Sequence, residues 1–214
     1  MADQVKAPRR AYSSPLRTEQ AQQTRRRVLE TARRLFIDHG YAGTTIAAVA
    51  EAAEVSPELI YTALGGKRGL LEGVMEITGP RESAADDEAW WAMVAELADP
   101  ADRLDKMVEY SCRILARTWP IHAIIRGAAD KDAFARGLGH RLLEDRLDVQ
   151  TERIRRHLDG ALKAGLRADE AGQRYCALTS PELFYLLTVE LGWSRDDHRS
   201  WITNLLRSEL LADR

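Results

Sequence analysis

The sequence predicts an all-α fold. Apolar residues recur at helical spacing along almost the whole chain, runs alternating at period two are missing, and Gly, Pro, Ser and Thr sit where helices start and stop. The chain has 214 residues, 45% hydrophobic and 30% charged, which describes a globular protein long enough to bury a core and excludes a disordered tail. No run approaches the ~18 uncharged apolar residues of a membrane span, so no membrane partner is expected. The first 17 residues are polar and basic without the apolar core of a secretory signal. Cys112 and Cys176 stand outside any CxxC or Cys/His cluster, which points to a reducing cytoplasm and to neither metal nor cofactor.

The elements follow in order. Val28, Ala32, Leu35 and Phe36 lie at i, i+4, i+7 and i+8, one stripe on a helix over 19–39 that Gly40 ends. Thr44 or Thr45 caps a second helix to about residue 53, with Ile46, Val49 and Ala50 inward. Glu54, Val55 and Ser56 break the pattern, and Ser56 with Pro57 opens a third helix that Gly65 and Gly66 stop. Residues 67–78 form a longer helix with Leu70, Leu71, Val74 and Ile77 inward. The acidic, small stretch 81–89 reads as a flexible connection before a short apolar segment over 90–97. Asp99 and Pro100 open a helix carrying Leu104, Met107, Val108, Ser111 and Leu115, and Trp119 with Pro120 starts a separate short one. A long helix is expected over 131–164, with Leu143, Leu147, Ile154, Leu158 and Ala161 roughly in register and Gly165 closing it. A helix over 170–177 meets a proline-marked restart at Thr179–Glu182, and a last one follows Ser194.

Residues 44–64 match the logic of a helix-turn-helix. A small residue is needed where the two helices touch (Ala50), an apolar one plugs the turn (Val55), and a branched apolar one locks the second helix (Ile60). The second helix is then free to lie in a major groove. Charge agrees with a polyanion-facing end: nine basic and three acidic residues give 1–34 a net +6, leaving −8 on the remainder of a chain at −2 overall.

The wider segment RRRVLETARRLFIDHGYAGTTIAAVAEAAEVSPELIYTALGGKRGLLEGV resembles the tetracycline-repressor-like (TetR) family of transcriptional regulators, and ALTSPELFYLLTVELGW (177–193) looks like a tail found in part of that family. The resemblance implies a flexible basic arm (1–18), a helix-turn-helix DNA-binding domain (19–66), a connecting helix (67–80) and a helical ligand-binding and dimerisation domain (81–214). Its implied partners are a double-stranded DNA operator, a second copy of the chain and an unidentified small-molecule effector. Tyr61 and Lys67 match the family's phosphate-contacting tyrosine and lysine, and Thr44 and Thr45 its threonines at the start of the second helix. A hydroxyl, an ammonium and helix N-terminal amides suit phosphate. Arg25, Arg26 and Ser56 complete the expected backbone contacts, while Glu58 and Thr62 face base edges, the first toward cytosine N4 and the second toward a thymine methyl. Arg9, Arg10 and Arg17 either enter a minor groove or supply only salt-sensitive attraction. Two departures stand out: Glu54 replaces the family's usual turn glycine, and Glu58 places an acid on a recognition helix that carries no arginine.

In the body, Tyr110, Trp119, His122, Arg126 and His140 are polar groups embedded in apolar helices and form the candidate ligand site. Phe184, Leu187, Trp193, Trp201 and Leu205 are the candidate dimer anchors. An enzyme is not expected: the five histidines form no HExxH pattern, and GxSxG, complete GxGxxG and P-loop motifs are missing. The alternatives are a helical ligand-binding or interaction protein with a degenerate helix-turn-helix and, behind it, a helical active site assembled from distant residues.

Overall fold

The computed structural model describes residues 15–79 and 84–212. Its helices are α1 (Pro15–Gly43), α2 (Ile46–Ala52), α3 (Pro57–Leu64), α4 (Gly66–Thr78), α5 (Ala84–Glu96), α6 (Pro100–Ala129), α7 (Ala133–Leu158), α8 (Ala168–Leu178), α9 (Pro181–Tyr185) and α10 (Arg195–Leu210). A π-helical turn, Leu186–Glu190, continues α9. The only extended pairing among the described residues is an isolated bridge between Leu162 and Leu211.

Two apolar clusters hold the chain together. The first joins α1–α4 through Val28, Phe36, Val49, Ala50, Ile60, Leu70 and Val74, and also takes in Ile121 and Ile125 of α6 and Leu138 of α7. The second is built from Leu104, Met107, Ile154, Leu158, Tyr175, Ile202 and Leu206 of α6, α7, α8 and α10. The two ends of α6 therefore serve different cores. Its last turns pack under the helix-turn-helix, so the module is docked on the body through shared buried side chains.

Several boundaries differ from those expected. Helix α1 begins by Pro15, which makes 15–18 helical rather than part of an arm; Arg9 and Arg10 lie outside the described residues. Residues 84–89 are not a flexible connection but the first turns of α5, where Asp86 and Asp87 favour the positive end of the helix dipole. Pro120 does not start a new helix, because α6 runs straight through it. The missing N–H and ring clash cost ~3 kcal/mol, and full burial of Ile121 and near-full burial of Ile125 in the next turn offset that cost. Helix α7 stops at Leu158 rather than at 164, because Asp159–Gly160, with Gly160 at φ +76°, turns the chain toward the bridge with Leu211. Leu143, expected on the inner stripe of α7, is exposed.

The turn between α2 and α3 carries the predicted strain. Glu54 sits at φ +53°, the one left-handed non-glycine residue described. Two hydrogen bonds hold it there, from the Val55 N–H to the Ala50 carbonyl (3.0 Å) and from the Glu54 N–H to the Glu51 carbonyl (3.1 Å), the pair of a Schellman motif. Since only glycine adopts this conformation without a steric penalty, Glu54→Gly should raise stability by about 1 kcal/mol, read as a higher urea midpoint at unchanged slope.

Candidate nucleic-acid interface and body cavities

Helix α3 is short, and its cap, exit and single anchor decide what it presents. The Ser56 hydroxyl accepts from the Leu59 N–H (3.3 Å), Pro57 fills the first helical position, and Gly65 leaves in the left-handed region. Ile60 is fully buried, whereas Pro57, Glu58, Leu59, Tyr61, Thr62 and Ala63 are all exposed, Tyr61 by 61%. Ile60, with the half-buried Leu64 at the last turn, pins the helix, and the other side chains stand out from the protein as a ridge. An α-helix held this way fits a major groove.

The predicted contact residues divide by what their polar atoms already do. Thr45 is exposed and caps α2, accepting from the Ala48 N–H (3.1 Å). Thr44 is 2% exposed, and its hydroxyl points inward, shared between the carbonyls of Leu35 (3.0 Å) and Gly40 (2.9 Å). This corrects the expectation of a phosphate-facing hydroxyl at Thr44, which instead satisfies two buried carbonyls at the end of α1. The Thr62 hydroxyl donates back to the Glu58 carbonyl, so its methyl is the part left for a base. The Glu58 carboxylate titrates below its usual range because its own backbone N–H and then the Ser56 hydroxyl stabilise the anion. An acid kept ionised on this ridge repels phosphate, so it suits a base-edge donor and not the DNA backbone.

Of the predicted basic contacts, Lys67 follows the ridge directly, while Arg25 and Arg26 lie on α1 near the C-terminal end of α4. Lys67 extends its Nζ 4.6 Å from the centre of the Tyr41 ring and 3.4 Å from the Ala42 carbonyl, and partial burial there lowers its pKa. Arg26 is exposed and pairs with Glu30 one turn on (3.0 Å). Arg25 pairs with Glu76 of α4 (2.7 Å), so it ties α1 to α4 as well as facing solvent. A left-handed Gly66 lets α4 begin against α3; a Cβ there would press on the Tyr61 ring at 3.2 Å.

The five predicted ligand residues fall in different places. His122, Arg126 and His140 share a cavity of about 580 Å³ between α6, α7, α8 and α9. Arg126 is engaged by Glu182 (2.6 Å) and is largely exposed. Tyr110 lies with His122 on a second cavity, about 480 Å³, between α4, α6 and α7, and its hydroxyl donates to Asp87 (2.9 Å). Trp119 lines neither; it packs on Tyr185 with ring centres 5.3 Å apart and faces a groove against α1. His122 borders both cavities, and burial pushes its pKa down to about 4. Sequence reasoning missed Gln150, Arg146 and Arg153 in the second cavity, and their polar spacing on α7 gave no inward signal.

A neutral, partly buried histidine has a pH signature. The folded chain binds its proton more weakly than the unfolded chain, so His122 favours folding above about pH 6.5 and loses that contribution as pH falls toward 4. Between pH 7 and 4.5 the loss should be about 2 kcal/mol more for the wild type than for His122→Gln, as measured by paired urea titrations.

The predicted dimer anchors also separate. Phe184 and Leu187 are buried within the chain, Phe184 edge-on to His198 with ring centres 5.0 Å apart, and cannot anchor a second copy. Ordinary helical phase already turns Leu186 and Val189 away from Phe184 and Leu187, and the wider π-helical turn carries Leu191 outward as well. Trp201 is exposed on the same end of the protein and meets Trp193 edge-on at 5.7 Å, while Leu205 is half-buried.

Residues 28–74 match the family model described as bacterial regulatory proteins, tetR family. Solved structures share the fold over most of the chain. A protein assigned as a transcriptional regulator, from Saccharomonospora viridis and in complex with choline, is 22% identical and superposes with a TM-score of 0.67 over 90% of this chain and 100% of its own. NalD, the secondary repressor of the MexAB-OprM multidrug efflux pump in Pseudomonas aeruginosa, is 15% identical with a TM-score of 0.67 over 91% of this chain and all of its own. A protein from Syntrophomonas wolfei assigned to the TetR family reaches 0.71 at 14% identity, over 87% of this chain and 94% of its own. No curated protein matches the chain in sequence.

Proposed function

Through its residues 28–74 this chain belongs to the tetR family of bacterial regulatory proteins, DNA-binding transcription regulators, and we propose that it is a homodimeric repressor released from its operator by a small molecule bound in the body. The observation that carries the reading is the outward ridge of α3, pinned by Ile60 with the half-buried Leu64 at its end, and followed directly by Lys67 at the start of α4. A two-fold partner placed on Leu186, Val189, Leu191 and Trp201 would set two such ridges about one DNA turn apart, ~34 Å. A chain acting on a chromosomal operator works in the cytoplasm.

Effector release runs through α4, which lies between the module and the cavity it shares with α6 and α7. Two ion pairs fasten that helix, Glu76 to Arg25 of α1 and Glu72 to Arg141 of α7 (2.8 Å), and Arg117 of α6 donates to the Gly79 carbonyl at its end (3.1 Å). A ligand that pushes α4 outward moves α1 and α3 with it and favours a dimer whose ridges no longer match successive grooves. Such coupling is worth ~1–3 kcal/mol. The test is selection of bound sequences from a random duplex pool, followed by affinity for the selected duplex with and without effector. The reading expects a palindromic consensus and weaker binding with ligand; no consensus, or unchanged affinity at saturation, contradicts it.

A further inference from the structure

We infer that the cavity between α4, α6 and α7 takes an uncharged aliphatic molecule bearing a hydroxyl, which hydrogen-bonds to the side chains of Gln150 and His122. This inference names the chemistry of the effector and rests on the reading above that the cavity holds one.

The wall is aliphatic: Met75, Ile114, Leu115, Leu138, Leu142 and Val149 contribute most of it. All but one of its charged members already have contacts within the protein. Glu72 holds Arg141, and Glu76 holds Arg25. Arg146 donates to the carbonyls of Thr179 (2.9 Å) and Cys176 (3.1 Å). The guanidinium of Arg153 is stacked 4.0 Å from the centre of the Trp91 ring and 5.1 Å from that of Tyr110. Asp145 stands at the mouth, exposed to water.

Two uncharged side chains of the lining, Gln150 of α7 and His122 of α6, keep hydrogen-bonding atoms without a partner among the described residues. Gln150 is 6% exposed; its Oε1 is shut off from water and unbonded. A buried amide left unpaired is disfavoured, and native proteins pair such groups with protein, water or ligand. The His122 ring, neutral at pH 7, offers one donor and one acceptor. A hydroxyl donates and accepts at once, so it suits both an amide and a neutral imidazole. A carboxylate would have to draw Arg146 off the carbonyls of Thr179 and Cys176 or Arg153 off the Trp91 and Tyr110 rings, and an ammonium would find only Asp145, whose charge water already solvates.

Three probes with the same octyl chain separate these cases: octan-1-ol, octanoate and octylammonium, each titrated calorimetrically into the full chain. Octan-1-ol is expected to bind at least ~10-fold more tightly than the other two, and Gln150→Leu, which keeps the volume and removes the amide, to weaken it ~10-fold. Gln150→Met serves the same purpose should the leucine variant fold poorly. Tighter binding of octanoate or octylammonium, no binding of octan-1-ol, or an unchanged constant in the Gln150 variants would overturn the inference. Affinity for the selected duplex is measured on the same samples. Octan-1-ol that binds as expected without weakening the DNA complex overturns the effector reading and leaves the assignment of ligand chemistry standing.

Discussion

Ile60→Ala is expected to lower stability by about 3 kcal/mol, with a fall of roughly 6–12 °C in Tm for a chain of this size. The side chain is fully buried and packs in the cluster that joins α1–α4 to α6 and α7. Removing three carbons there leaves a cavity, and the only other α3 side chain packed on this core is the half-buried Leu64. The loss should therefore appear twice: in a melt of the whole chain, and in hydrogen exchange concentrated over residues 57–64. A variant with wild-type Tm and wild-type exchange would mean that α3 is held by something other than this contact.

Lys67 and Tyr61 supply the second large effect, and they should fail differently. Lys67→Ala removes a cation beside the ridge, so it is expected to weaken duplex binding ~10-fold. It should also reduce the slope of log affinity against log salt by about 1 per protomer, because one fewer counterion is released at each site. Tyr61→Phe removes only an exposed hydroxyl. It is expected to weaken binding by a similar factor with the slope unchanged. Titrations over a series of salt concentrations check both. If neither substitution alters affinity or slope, the helix-turn-helix is a remnant and the chain is a helical ligand-binding protein.

The module was legible in the sequence because its constraints are local. Ala50, Val55 and Ile60 lie within eleven residues, and each must be small or apolar for two short helices to touch, whatever the body does. Even the strain at Glu54 was readable, since the motif places a left-handed residue there and the sequence offers no glycine. The body was harder for reasons that are equally physical. The segment 183–191 is apolar nearly all round, so its phase cannot be read from composition: Phe184 and Leu187 face in, Leu186 and Val189 face out, and the π-helical turn sends Leu191 outward too. Pro120 reads as a helix start, yet the packing of Ile121 and Ile125 carries α6 through it. Of two adjacent threonines only one can cap α2, and the other turns its hydroxyl onto the carbonyls that α1 leaves at its end. The candidate ligand residues were scattered because helical spacing says which residues share a face but not which neighbouring helix that face meets.

The central claim is that the outer face of α3 reads DNA, and Leu59 tests it most directly. Its side chain is 40% exposed on the ridge, so Leu59→Glu should leave the melting temperature within about 2 °C of wild type, since surface changes fall within ±0.5 kcal/mol. Titrated against the selected duplex, that variant is predicted to bind at least ~100-fold more weakly, because a carboxylate is then driven into a groove lined by phosphates. Wild-type affinity in a normally folded Leu59→Glu chain would contradict the account.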